Sequence, residues 1–185
     1  MRSIYIAPWR VDVTVRDGVT APLSAGAVGR VSARALDAAG APSPASIAVI
    51  LSNDAELTEL NEKHMGEHGP TDVLSFPLLP PSAYPPHPGQ HAGTGTARDT
   101  DFVLPPGRRQ LLGDIVISVE RATEQAQSGH GGQTGDVHWS VADELRLLVI
   151  HGVLHVCGWD HADADERDAM RALESELLGE SKGAA

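Results

Sequence analysis

Val11, Val13 and Val15 alternate with Asp12, Thr14 and Arg16. A period of two marks a strand with one buried face, so Ile4 to Val15 is predicted as one or two strands. Asp17-Gly18 signals a turn after it. Pro22 to Ala39 follows the longer helical period, opened near Ser24 and closed by Gly40. Ser46 to Leu51 is a short apolar run, predicted as a buried strand. Asn53 and Glu56 have the spacing of a capping pair. They open a second helix to about His64, which Gly66 and Gly69-Pro70 bring to an end. Asp72 to Phe76 and Leu111 to Val119 are further strand candidates. Pro77 stops the first, and a helix from Glu120 to about Ser128 follows the second. Gly129 to Asp136 is glycine-rich and reads as a loop.

The strongest helical pattern runs from Asp143 to Cys157. Leu145, Leu147, Leu148, Val149, Ile150, Val153, Leu154 and Val156 cover nearly its whole circumference, and a helix apolar on most sides is a buried one. Ala162 to Leu178 is amphipathic instead, with Met170, Leu173, Leu177 and Leu178 on its inner face. Leu79 to Arg108 breaks the pattern altogether. It holds seven of the chain's 13 prolines, with His87, His91, Gly93 and Gly95 between them. Such composition has little apolar area with which to order itself, so it is read as a flexible insertion. A flexible loop does not preorganise ligands, which argues against His87 and His91 as a metal pair.

Composition narrows the classes. The 185 residues give room for one domain, residues 1–185, and a hydrophobic fraction of 41% is enough for a core. No stretch approaches the roughly 20 apolar residues of a membrane span. The N-terminal residues lack the apolar run of a secretory signal, and the single cysteine, Cys157, leaves no intrachain disulfide. A cytoplasmic location is expected. The formal charge is −11, from 14 basic and 25 acidic residues. That argues against a generic nucleic-acid binder, and no DNA partner is expected, because a polyanion seeks basic surface. The charge is uneven: residues 1–40 carry Arg2, Arg10, Arg16, Arg30 and Arg34 against Asp12, Asp17 and Asp37, whereas 151–185 carry eight acids against Arg167, Arg171 and Lys182.

Candidate chemistry concentrates in His151-Gly152-Val153-Leu154-His155-Val156-Cys157-Gly158-Trp159-Asp160-His161. His151 and His155 are four apart, so on a helix their imidazoles share one face. Gly158 can end the helix in a left-handed conformation and turn the chain back, bringing His161 to the same point. Two polar rings in an apolar helix cost free energy unless partnered, and a metal partners both. Three neutral nitrogens suit one Zn²⁺ with a position left for water, the pattern of a catalytic site. The spacing also matches the long zinc-protease motif H-E-x-x-H-x-x-G-x-x-H, but Gly152 stands where that motif needs its glutamate base. This argues against a protease of that mechanism. Cys157 is read as core.

His151 to His161 resembles the H-G-x-L-H-x-x-G-Y-D-H signature of the YbeY family, bacterial rRNA maturation factors regarded as single-strand-specific metallo-endoribonucleases. Pro70-Thr71-Asp72-Val73-Leu74-Ser75-Phe76-Pro77 and Leu112-Gly113-Asp114-Ile115-Val116-Ile117-Ser118 resemble two more of its motifs, in the family's order. The resemblance spans roughly residues 46–178 without the proline-rich insertion. It implies an α+β, zincin-like fold, in which a small mixed β-sheet is packed with helices and the HxxxH pair lies on a buried helix. It also implies a zinc-dependent endoribonuclease that matures the 3′ end of 16S rRNA and takes part in ribosome quality control. The partners would be single-stranded rRNA precursor and the ribosome or its small subunit. His151, His155 and His161 carry over as zinc ligands. Trp159 replaces the usual tyrosine and keeps an aromatic ring. Met65 stands where the family pattern has arginine, and methionine cannot pair with phosphate. Either Lys63, Arg108 or Arg109 takes over the RNA contact, or substrate affinity is lower.

For proton transfer the candidates are Asp160, beside the third histidine, and Asp72, beside Pro70-Thr71. Asp160 is read first as a supporting residue, orienting a ligand or capping its turn. Asp72 is read first as turn chemistry. Asp114, next to Gly113, fits a bulge or an edge position. Two rival functions remain at this point: a zinc hydrolase of a small molecule, and a non-catalytic ribosome-binding assembly factor with a structural zinc.

Overall fold

The computed structural model describes residues 1–88, 108–128 and 139–183. It is an α+β arrangement around one five-stranded sheet, ordered β1-β2-β3-β5-β4. The strands are β1 (Arg2–Ile6), β2 (Trp9–Val15), β3 (Ala45–Ser52), β4 (Val73–Pro77) and β5 (Gln110–Ser118). β2, β3 and β5 run parallel, while β1 and β4 pair antiparallel at the two edges. The sheet is therefore mixed, and its most apolar strands, β3 and β5, lie inside it.

Helices cover both faces. α1 (Ala25–Ala38), α4 (Val141–Val156) and α5 (Ala164–Gly183) enclose the main core, to which Ile47, Val49, Leu51, Ile115 and Ile117 point. α2 (Asp54–His64) lies on the other face, its Leu57 packed against Leu74 and Val116, while α3 (Val119–Ser128) packs against α4 and puts Val119 and Ala122 into the main core. Along β5, alternate side chains thus feed alternate cores, Ile115 and Ile117 on one face and Val116 on the other.

Local chemistry fixes most boundaries. Ser24 caps α1, its hydroxyl accepting from the Ala27 N–H, and Asn53 caps α2 by accepting from the Glu56 N–H. Glu56 does not return the bond; its carboxylate takes Arg16 and Ser52 instead. α4 begins at Val141, ahead of the Asp143 expected from its apolar pattern, because Ser140 and Asp143 form a reciprocal capping box. β5 carries a register shift against β3 between Ser46 and Ala48, so Gly113-Asp114 sits at an irregularity inside the sheet rather than at its edge. A Cβ on Gly113 would stand 2.4 Å from the Phe76 carbonyl oxygen, which is why the strands can close here.

Of the segment 79–108, Leu79–Pro88 and Arg108 are described. Pro81–Ala83 forms a short 3₁₀ turn, and Tyr84, only 4% exposed, enters the main core. His91 and the glycine-rich loop 129–136 lie outside the described residues. Among the described residues, no helix is long and apolar enough to cross a membrane.

Candidate metal centre

α4 is held against the sheet by a residue with no side chain. A Cβ on Gly152 would lie 2.6 Å from Ile115 Cγ2 and 3.3 Å from Val73 Cγ2, so only glycine lets the helix sit this close to β5 and β4. The Ser75 hydroxyl fastens the contact by donating to the Gly152 carbonyl at 3.1 Å. His151 and His155 line a cleft together with Val73, Leu74 and Ser75 of β4.

The helix ends in a Schellman motif. Gly158, at φ +83°, donates to the His155 carbonyl, and Trp159 donates to the Leu154 carbonyl, both at 3.0 Å. The left-handed residue turns the chain back toward the start of α5. This turn brings His161 to the helical pair, with its ring centroid 5.7 Å from that of His151 and 5.0 Å from that of His155. One ring nitrogen from each of the three histidines lies within 4.8 Å of the others.

These residues fit a divalent cation. His151 Nε2 and His155 Nε2 are 3.0 Å apart. Two imidazoles sharing one tetrahedral ion at about 2.0–2.1 Å would place their nitrogens roughly 3.3 Å apart. The Nδ1 of His151 is engaged elsewhere, 2.7 Å from Glu174 Oε1 on α5. A carboxylate accepting that N–H fixes the ring and its tautomer, leaving the Nε2 lone pair facing the cluster. Burial, reinforced by the neighbouring His151 and His161, pushes the His155 imidazole down to about 4. It is therefore neutral near pH 7 and can act as a ligand.

The cluster forms one wall of a cleft of about 400 Å³. The cleft is also lined by Asn61 of α2, by Met65 and Glu67 beyond its end, and by Thr71 to Ser75 leading into β4. Among the described lining residues there is no lysine or arginine. Met65 is half exposed there, at the position where the motif comparison expects a cation.

The other predicted site residues divide. Asp72 lines the cleft, but its oxygens are engaged. Oδ1 accepts from the Val73 N–H at 2.8 Å and from the Thr71 hydroxyl at 3.2 Å, and Oδ2 accepts from Gln125 Nε2 at 2.9 Å. Asp160 accepts from the His161 N–H at 2.8 Å, within its own turn. Lys63, Arg108 and Arg109 are not among the residues that line the cleft. Lys63 is exposed on α2. Arg109 donates to the carbonyl of Pro8, beside the β1–β2 hairpin and across the sheet from β4. Cys157 is fully buried, and burial pushes its thiol up to about 12, so it is an inert core residue.

Glu174 lies in none of the three motifs, although the sequence holds a signal for it. Met170, Leu173, Leu177 and Leu178 make an inward stripe, and Glu174 falls within it at helical spacing. Glu144 is a second buried acid, 3% exposed on α4. Burial holds its carboxyl above the usual range, the nearby Asp72 charge acts in the same direction, and Trp139 Nε1 donates to it at 2.5 Å.

Comparison with known proteins identifies the family. The family model described as Endoribonuclease YbeY matches residues 21–182. A protein of that name from Salinispora tropica is 41% identical over 154 residues, covering 82% of this chain and 84% of its own. One from Symbiobacterium thermophilum is 40% identical over 152 residues, covering 80% and 81%. One from Thermobifida fusca is 35% identical over 171 residues, covering 91% of each chain. The solution structure of a Thermotoga maritima protein aligns with TM-score 0.51 at 19% identity, over 94% of this chain and 92% of that one. That likeness concerns the fold alone.

Proposed function

The chain belongs to the endoribonuclease YbeY family, which makes it a hydrolase of RNA phosphodiester bonds, and from that premise we propose that it works with one Zn²⁺ held by His151, His155 and His161. The substrate in this reading is single-stranded precursor rRNA, cut to mature the 3′ end of 16S rRNA in contact with the small ribosomal subunit, in the cytoplasm. The fold is of the zincin-like kind, with residues 1–185 forming one domain and the proline-rich segment inserted into it.

The observation that carries the reading is the meeting of three imidazole nitrogens within 4.8 Å on the wall of an open cleft. The bound cation supplies Lewis acidity toward a phosphoryl oxygen and an activated water. The chain does the rest. His151 presents Nε2 because Glu174 holds its Nδ1–H. His155 is neutral at working pH because it is buried. Asp160 and Gly158 shape the turn that delivers His161. Asp72 organises the near end of β4, tying Val73 and Gln125 together beside the rings. With Gly152 after the first histidine, the position that would carry a protease's glutamate base has no side chain.

The test is metal analysis of the purified protein, followed by cleavage of a single-stranded RNA with and without a chelator. Cleavage abolished by the chelator and restored by Zn²⁺ is the expected outcome. Cutting that is indifferent to the chelator, or that persists in a folded His155→Ala variant, overturns the zinc reading.

A further inference from the structure

We propose that His87 is a positioning residue for His161, acting through Trp159; this rests on reading the three histidines as a metal centre. His151 and His155 are fixed by their helix, but His161 is exposed and lies in the irregular stretch between α4 and α5. Its own hydrogen bond, from its N–H to Asp160, is local and ties it to nothing else in the fold. A ligand on such a segment must be ordered when the cation binds, and that ordering reduces affinity.

The segment is anchored two residues earlier. Trp159 is only 8% exposed, and its indole stacks on the His87 imidazole with centroids 4.0 Å apart and planes 8° from parallel. Burial holds His87 below its ordinary range, so a neutral ring meets the indole. The stretch that presents His87 is itself seated. Tyr84 is 4% exposed in the main core. Pro81 Cα lies 3.2 Å from where a Cβ on Gly158 would stand, and Pro85 Cγ lies 2.9 Å from the corresponding point on Gly40. Each glycine ends a helix in a left-handed residue, so the stretch packs over the ends of α1 and α4 together. His87 therefore closes the outer face of the indole, and the indole fixes the direction in which the chain leaves toward His161. The proline-rich segment, outside all three motifs, supplies this support.

The affinity of the full-length protein for Zn²⁺, read by competition with a chromophoric chelator, tests the idea. His161→Ala serves as the reference, and far-UV circular dichroism monitors folding. His87→Ala is expected to weaken Zn²⁺ binding about five- to tenfold, the scale of one lost aromatic pair, and His87→Phe to stay within about twofold of wild type. Tryptophan emission should shift to the red in His87→Ala and not in His87→Phe. In a Trp159→Ala background, His87→Ala should add less than about twofold, because the pair acts as one unit. If wild type binds no Zn²⁺, or His161→Ala binds as wild type does, the metal-centre reading falls and this proposal with it. If His161→Ala is weakened while His87→Ala is not, only the positioning role is overturned. Additive losses in the double variant, or a phenylalanine that restores nothing, overturn it equally.

Discussion

α4 and the turn that follows it supply the same kind of side chain under opposite conditions. His151 and His155 stand on a buried helix that is capped at its start by Ser140 and Asp143 and seated on β5 through Gly152. His161 stands on an exposed stretch that owes its course to a Schellman turn and to Trp159 packed beneath the 79–88 segment. The helical pair is preorganised by core packing, which is expensive to disturb. The third ring is preorganised by a few contacts at the surface, which are easily lost. A cluster built this way has one half set by core packing and another held by a few contacts at the surface.

The largest effect is expected where the core-packed half is broken. His155→Ala should fold, lose its metal and cleave single-stranded RNA at least roughly a thousandfold more slowly, as measured by metal content and initial rates. His161→Ala should retain weak cation binding, because the helical pair survives; equal losses in the two variants would erase the distinction between the halves.

Glu174→Ala comes next. It removes the carboxylate on His151 Nδ1 without touching a ligand, and metal affinity should fall about ten- to a hundredfold, with Glu174→Gln intermediate. Unchanged affinity would mean that helix packing alone orients the ring.

Gly152→Ala tests the seating of the helix. Alanine gains helix propensity, but its Cβ would press on the fully buried Ile115 at 2.6 Å. Overpacking should win, with a net loss of about 1–2 kcal/mol in urea unfolding. A more stable variant would show that α4 can slide on the sheet.

The smallest effect is on the exposed wall of the cleft. Met65→Arg adds a cation where the lining has none. It should tighten RNA binding about threefold at moderate salt and steepen the salt dependence by about one counterion. No change in the salt slope would mean that the RNA backbone passes elsewhere.

Much of this was legible along the chain. The alternation in β2, the apolar circumference of α4, the Ser24 and Asn53 caps and Gly158 are local signals, and each local choice agrees with the fold around it. The i, i+4 histidine pair could be placed on one face from helical geometry alone. The shared site of Asp72 and the histidines was not legible, since β4 and α4 meet through a packing contact between Ser75 and Gly152, 77 residues apart. The same holds for the place of Arg108 and Arg109, which immediately precede β5 and of which Arg109 donates to the Pro8 carbonyl. The composition of 79–108 suggested a segment with nothing to bury, yet Tyr84 and His87, separated by two prolines, find places on the core and on Trp159.

The sequence by itself determined which histidines share one helix face and which elements bear them, because capping, periodicity and turn glycines act over a few residues. Only the tertiary structure decided what stands behind the site: Glu174 on His151, His87 on Trp159, Gly152 against Ile115. These contacts join residues remote in sequence, and burial in a common core is what brings such residues together.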